Sequence, residues 1–210
     1  MKIGFKINRH FPFRKNYLNK HLLYSLVREV EDTNILDKFA IEFANIIERY
    51  TDYIIVSGFV AISSGRSRGT EDIDMIIPQI GFDLFKKINA QLNKFNFISI
   101  QSSKPEEIYN YLNDSTSVRY IKKNQPLPEM ELKFARDELD NYQLKTRTKL
   151  KLTGLNLWFS NINVNIAFKE ELLKSPKDMD DARHLRIVYD ELLDEDEIKV
   201  IKAMIKRYRL

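Results

Sequence analysis

The chain has 210 residues, of which 43% are hydrophobic, and this is enough to build one compact core. It contains no cysteine, which excludes disulfide frameworks and thiolate zinc sites and fits a reducing cytoplasm. The 34 Lys and Arg against 30 Asp and Glu give a net charge of +4, which permits a polyanionic partner without requiring one. No stretch approaches the roughly 20 apolar residues that span a bilayer, so we expect a soluble, cytoplasmic protein with no membrane partner.

Predicted elements in the first part of the chain alternate between helices and buried strands. Apolar residues recur at helical spacing in residues 19–30 and 35–50, which predicts two helices. The β-branched run that precedes Gly58 predicts a buried strand. Residues 59–64 then predict one or two helical turns, and DIDMIIP (72–78) predicts a strand that ends at its proline.

The remainder of the chain predicts more strands and a helical end. Helical periodicity marks residues 82–95 and 105–114, and strand patterns mark 116–123 and 129–135. The runs KLKLTGLNLWF (149–159) and INVNIAF (162–168) are separated by Ser-Asn and predict a β-hairpin. Helical patterns follow at 169–174, 177–193 and 195–209. We therefore predict an α+β fold in which helices pack on a central mixed β-sheet, with a core at 1–168 that includes N-terminal helices and a helical C-terminal segment at 169–210 packed on it.

The stretch SGFVAISSGRSRGTEDID (57–74) concentrates glycine, arginine and aspartate, and it holds three of the chain's six glycines. Gly58 lies between a predicted strand and a short helix, where free backbone N–H groups and the positive end of the helix dipole favour an anion. A residue without a side chain there lets a phosphate approach the main chain, and the hydroxyl of Ser57 can donate to the same anion. The stretch therefore predicts a phosphate cradle.

Asp72 and Asp74 lie two apart on a predicted strand, so their carboxylates leave the same face. Two such carboxylates can hold a hard cation, and Mg²⁺ takes one or two protein carboxylates together with water and substrate phosphates. Each short motif taken alone also has an ordinary structural explanation, as a turn, a solvated strand end or a surface charge. The order of the motifs, rather than any one of them, predicts metal-assisted chemistry on a nucleotide.

The segment VSGFVAISSGRSRGTEDIDMII resembles the signature of the DNA polymerase β-like nucleotidyltransferase superfamily. It is most similar to the branch of minimal nucleotidyltransferases and abortive-infection toxins, through Ser57-Gly58-Phe59 and Arg68-Gly69-Thr70-Glu71-Asp72-Ile73-Asp74. The later run KDMDDA (177–182) is similar to a Lys-Asp-x-x-Asp-Ala helix of that branch. One position departs from the pattern, because Ser57 stands where the family has its first glycine.

The resemblance implies a nucleotidyltransferase fold and an enzyme that moves a nucleoside monophosphate from an NTP to a hydroxyl, by two-metal phosphoryl transfer with Mg²⁺ or Mn²⁺. The implied metal-binding and catalytic residues are Asp72, Asp74 and a third acid. For the third acid we choose Glu131, which faces away from the core in its predicted strand, although an ordinary solvated position explains Glu131 equally well. The implied nucleotide-binding residues are Ser57, Gly58, Arg66, Arg68, Thr70, Lys174 and Lys177.

These motifs do not identify the acceptor substrate. Transfer RNA or another RNA is favoured by the basic balance and by the tail cations Lys202, Lys206, Arg207 and Arg209, although such a tail is also typical of a solvated helix end. A second interpretation is a non-catalytic binding module that keeps the fold, such as one component of a toxin–antitoxin pair with a protein partner. The serine at position 57 and the uncertain third acid favour this second interpretation.

Overall fold

The structure, a computed structural model, describes residues 33–67 and 69–210. Its α-helices are α1 (Ile35–Ile47), α2 (Gly58–Ser63), α3 (Phe82–Lys94), α4 (Pro105–Asn113), α5 (Glu138–Lys145), α6 (Ile162–Phe168), α7 (Pro176–Val188) and α8 (Glu195–Arg209). Its strands are β1 (Ile54–Val56), β2 (Asp72–Ile77), β3 (Phe97–Ser99), β4 (Val118–Lys122) and β5 (Gln125–Phe134). The helix predicted at 19–30 and the side chain of Arg68 lie outside the described residues.

The five strands form one mixed sheet in the order β1-β2-β5-β4-β3. β2 runs parallel to β5, whereas the other neighbouring pairs are antiparallel. A parallel pair needs a crossover connection, and here the chain leaves β2 through α3, β3, α4 and β4 before it returns as β5. The α+β class and the central mixed sheet packed by helices are as predicted.

The two faces of the sheet differ in character. Along β2, Ile73, Met75 and Ile77 are buried in the main core, which α1 and α3 cover with Phe39, Phe43, Phe85 and Ile88. Side chains alternate along a strand, so the other face carries Asp72, Asp74 and Ile76. On this second face a small cluster of buried residues covers only the β1 side: Ile54, Val56, Ile76, Ala135 and Leu144. The rest of this face is available for charged groups.

The predicted hairpin is wrong. Residues 162–168 form α6 rather than a strand, and Asn161 caps the helix by accepting a hydrogen bond from the backbone N–H of Val164 at 2.9 Å. The alternation of INVNIAF suggests a strand with one polar and one apolar face. In the structure Asn163 and Asn165 are buried as well as the apolar residues, so the alternation does not mark a solvent-exposed face. Residues 149–159 are largely irregular, and Phe159 makes only isolated bridges to Ile55 and Thr148.

The chain after α6 continues through a π-helical turn at Lys169–Leu173 into α7 and α8. The apolar face of α8 is buried through Ile198, Ile201 and Ile205, which lie in the main core. The π-helical turn packs against both α7 and α8. None of the helices in the described ranges is long and apolar enough to cross a membrane.

Candidate active site

A cleft of about 260 Å³ lies on the second face of the sheet. Asp74 of β2 and Lys133 of β5 contribute to its floor, and Ser57 lies at its edge. The walls come from α5, α6, the π-helical turn and the end of α8. Polar residues line these walls: Arg136, Asp140, Gln143, Asn165, Lys169 and Arg209.

The acidic residues of the two parallel strands face each other in register. Asp74 pairs with Glu131 and Asp72 with Glu129, so four carboxylates occupy one small area of the open face. Thr70 donates a hydrogen bond from its hydroxyl to the Asp72 carboxylate at 2.7 Å. The sequence-based choice of Glu131 thus lies on the strand next to the two aspartates, and Thr70 orients Asp72.

The pKa of Asp74 shows how poorly its negative charge is compensated. Burial raises this pKa, and the like charges of Glu131 and Asp72 raise it further, whereas Lys133 and a hydrogen bond from Ser57 lower it only in part. The net direction is upward from the usual value for aspartate. A cation bound at this carboxylate would relieve the same repulsion.

The metal-ligand set is partly formed. Asp72 and Asp74 offer carboxylate oxygens of the kind that Mg²⁺ prefers. Glu131 instead lies 3.8 Å from the Nε atom of Arg119 on β4, and Glu129 lies 3.7 Å from it. Within residues 33–67 and 69–210, no group of three or more His, Asp or Glu side chains gathers closely enough to hold an ion. The two aspartates fit a metal. Glu131 would have to leave Arg119 before it could bind the same ion.

Ser57 adopts a backbone conformation that normally belongs to glycine. Its φ is 66° and its ψ is −134°, a combination that strains any residue with a Cβ. α2 begins at the next residue, Gly58, and the side chain of Ser57 does not cap it, as the predicted cradle requires. The turn therefore keeps a glycine-like shape although serine occupies the position.

Behind the cleft, one carboxylate joins two cations from distant parts of the chain. Asp181 of α7 accepts from Arg66 Nε at 2.6 Å and from Lys169 Nζ at 2.9 Å. Lys169 also lies 3.4 Å from Asp178, and its side chain is only 1% exposed. Asp181 thereby fixes the loop after α2 against the π-helical turn. We call Arg66, Lys169, Asp178 and Asp181 the buried ion cluster.

The predicted nucleotide-binding lysines, Lys174 and Lys177, do not line the cleft. Both are exposed. Lys174 lies 3.4 Å from Glu171, and Lys177 follows Pro176 in the first turn of α7. Lys169 and Lys133 are the lysines that do line the cleft, and sequence reasoning predicted neither as a site residue. Lys169 is the more informative omission. One available signal was a lysine within the apolar context IAFKEELL, placed shortly before the acidic start of a helix.

Comparisons with known proteins support the fold. No protein-family profile matches the chain, and no curated protein sequence matches it. The antibiotic-resistance factor ANT(2'')-Ia, solved in complex with adenylyl-2''-tobramycin, superposes with a TM-score of 0.53 at 13% identity, over 84% of this chain and 100% of that chain. The solution structure of the same factor gives a TM-score of 0.48 at 13% identity, over 81% of this chain and 93% of that chain.

A nucleotidyltransferase-like protein from Paracoccidioides brasiliensis, described as antigenic, gives a TM-score of 0.46 at 18% identity, over 80% of this chain and 85% of that chain. At these identities the likeness concerns the fold alone. The five-stranded mixed sheet and its surrounding helices share the fold of ANT(2'')-Ia, and this α+β fold is the class that the sequence predicted.

Proposed function

We propose that this protein is a nucleotidyltransferase that moves a nucleoside monophosphate from an NTP to a hydroxyl acceptor with Mg²⁺ or Mn²⁺. One observation carries the proposal. Asp74, whose charge is compensated only in part and whose pKa is raised, stands between a glycine-like turn at Ser57 and a second acidic strand. A fold without phosphate chemistry gains nothing from this repulsion, whereas a metal-bound triphosphate would relieve it.

In the proposed site Asp72 and Asp74 would hold the metal, with Glu131 as the third acidic residue. When bound, the metal would polarise the phosphates and neutralise the developing charge. Thr70 holds the Asp72 carboxylate by its hydrogen bond, and Ser57 donates to Asp74. These two hydroxyl groups orient the ligand oxygens before substrate arrives.

We assign the triphosphate to the side of the cleft that the turn and the buried ion cluster form. Backbone N–H groups at Ser57 and Gly58 would bind phosphate oxygens, with Arg66, Arg68 and Lys169 supplying positive charge. Asp181 would orient both Arg66 and Lys169, because it already binds the two cations. Lys174 and Lys177 remain available as outer contacts, since both are exposed.

The proposed reaction is a displacement at the α-phosphorus of the NTP. The acceptor oxygen forms a bond to this phosphorus, the bond to the bridging oxygen of the β-phosphate breaks, and pyrophosphate leaves. The proton of the acceptor hydroxyl passes to solvent. The walls of the cleft serve to hold the two reactants in line.

A label-transfer assay tests this function. We expect wild-type protein, given each α-³²P-labelled NTP with Mg²⁺ or Mn²⁺, to transfer label to an acceptor in total RNA, in cell protein or in a small-molecule extract. Asp74→Asn keeps the side-chain shape and should lower the rate at least about 100-fold, because it removes a charged metal ligand. Absence of transfer with all four NTPs and all three acceptor pools would contradict the proposal.

RNA remains our proposed acceptor. The basic C-terminal tail supports it less than its composition suggests, because some of the tail cations already have carboxylate partners. Lys202 lies 2.7 Å from Glu170, and Arg209 lies 2.8 Å from Asp140 with a side chain only 6% exposed. These two cations therefore hold α8 in place. Lys206, 64% exposed at 3.7 Å from Glu171, has more freedom to contact a phosphate backbone.

A non-catalytic binding module, such as one half of a toxin–antitoxin pair with a protein partner, is the second candidate. Two features favour it: the contact of Glu131 with Arg119 and the serine in the glycine-like turn. This candidate predicts NTP binding without label transfer. The assay above therefore separates the two functions once NTP binding is measured in parallel.

A further inference from the structure

Four cationic side chains line the cleft, and three of them already have carboxylate partners. Lys169 lies 2.9 Å from Asp181, and Arg209 lies 2.8 Å from Asp140. Arg136 lies 3.8 Å from Asp137. These charges maintain the walls of the cleft.

Lys133 is different. It is half-buried and lines the cleft, yet no ion pair or hydrogen bond of its ammonium group occurs within the described ranges. It follows Glu131 by two residues on β5, on the same face, and lies opposite Ile76 in the register of β2 and β5. Its charge therefore stands beside the acidic pair formed by Asp74 and Glu131, one step deeper in the cleft.

The electrostatic environment agrees with an ammonium group directed into the cleft between two acidic groups. Burial raises the pKa of Asp74 and of Asp140, and in both cases the charge of Lys133 offsets part of that rise. Lys133 affects both carboxylates through its charge and forms a hydrogen bond or ion pair with neither. A half-buried cation without a direct partner gains more from an anionic ligand than a solvated one does.

We propose that Lys133 binds a phosphate group of the nucleotide directly, through its ammonium group and a non-bridging phosphate oxygen. This inference rests on the proposed function, because it places the triphosphate over Asp74. It adds a contact on β5 to those on the turn and the buried ion cluster. The nucleotide is then held from three directions, with the acids at the open end and Lys133 beneath them.

Binding measurements on Lys133→Met test the proposal, because methionine keeps the length of the side chain and removes its charge. The probes are inorganic triphosphate, the α,β-methylene analogue of ATP with Mg²⁺, adenosine, and Mn²⁺ alone. We expect the variant to bind triphosphate and the analogue at least about 10-fold more weakly, with adenosine binding unchanged. Lys133→Arg should retain the affinity of wild type within about threefold, since it keeps the charge.

The affinity for Mn²⁺ separates a phosphate contact from general damage. Removal of a positive charge beside Asp74 should leave Mn²⁺ binding unchanged or tighter, while triphosphate binding falls. A loss of both affinities together would overturn the proposal. The matched control is Lys87→Met on α3, an exposed lysine outside the cleft, which should change neither affinity.

Other outcomes are equally clear. A folded Lys133→Met protein with wild-type triphosphate affinity overturns the inference, even where label transfer shows the proposed function to be correct. Triphosphate binding that depends on Lys133 without label transfer supports the inference and contradicts the function.

If Lys133→Met does not fold, Lys133→Gln replaces it. Failure of both variants to fold would assign Lys133 a structural role and overturn the proposal. Wild-type protein that binds no triphosphate overturns both.

Discussion

The acidic area of the open sheet face and the buried ion cluster behind the cleft differ in how far their carboxylate charges are compensated by cations. In the buried cluster, a fully buried Asp181 is matched by Arg66 and Lys169 at hydrogen-bonding distance. In the acidic area, Asp74 and Glu131 stand opposite each other on neighbouring strands, and Lys133, Ser57 and Arg119 moderate their charge only in part. The first arrangement is complete, whereas the second leaves a charge that the proposed ligand would compensate.

This difference separates structural charge from functional charge. A buried charge pair loses its hydration and is retained only when its geometry compensates the loss, so the buried ion cluster belongs to the assembly of the fold. Like charges that persist on an open face are typical of sites that bind a cation or a metal-bound substrate, and our proposed function assigns the acidic area to this group. Mutations in the two regions should therefore act on different observables.

The largest effect on stability is expected in the buried ion cluster. Asp181→Asn should lower the free energy of unfolding by about 3 kcal/mol, because it leaves Arg66 and the buried Lys169 without their shared carboxylate. Urea denaturation measures this change. Asp180→Asn is the matched control, since the Asp180 side chain is 46% exposed, and it should cost less than about 0.5 kcal/mol. Equal effects of the two variants would contradict the contrast between the regions.

A smaller effect of opposite sign is expected at the turn beside the acidic area. Ser57→Gly should raise the free energy of unfolding by about 0.5 kcal/mol, because relief of the strain at φ 66° exceeds the entropy that glycine adds to the unfolded chain. Thermal denaturation can detect this gain. Ser103→Gly, in an exposed bend, should instead be neutral or slightly destabilising. A destabilised Ser57→Gly protein would show that the serine side chain outweighs the backbone strain.

An effect no larger than that at Ser57 concerns the pH dependence of Asp74. Its pKa is raised in the folded state, so the folded protein binds this proton more tightly than the unfolded chain, and stability falls as pH rises above the unfolded value. Asp74→Asn should therefore be more stable than wild type at pH 7, by about 0.5 kcal/mol. The difference should vanish below about pH 4, where the carboxyl is protonated in both states. An advantage that is constant with pH would exclude this electrostatic explanation.

The segment from Ser57 to Asp74 was predictable because its structure is local. The β-branched run stops at glycine, a short helix follows, and DIDMII alternates before it becomes apolar, so the signals for β1, α2 and β2 lie close together in the chain. The placement of Glu131 beside Asp74 also followed from alternation along one strand, combined with the family resemblance. These signals need no knowledge of the rest of the fold.

The errors came from residues whose environment is set by distant segments. INVNIAF alternates as a strand does, but the cap at Asn161 and burial on all sides make it α6. Lys169 gave little signal, because a lysine is buried only when a partner such as Asp181 is present, and that partner is brought to it by α7. Arg119 was missed as the partner of Glu131 for the same reason.

The buried ion cluster also determines when the site can exist during synthesis of the protein. Asp72 and Asp74 emerge from the ribosome early, but their neighbouring strand β5 and the carboxylate of Asp181 follow much later in the sequence. Until Asp181 is available, Arg66 and Lys169 lack the group that joins them, and the cleft lacks a wall. A nascent chain therefore carries its acidic motif before the cleft is complete, and the proposed activity should appear only after α7 has been translated and docked.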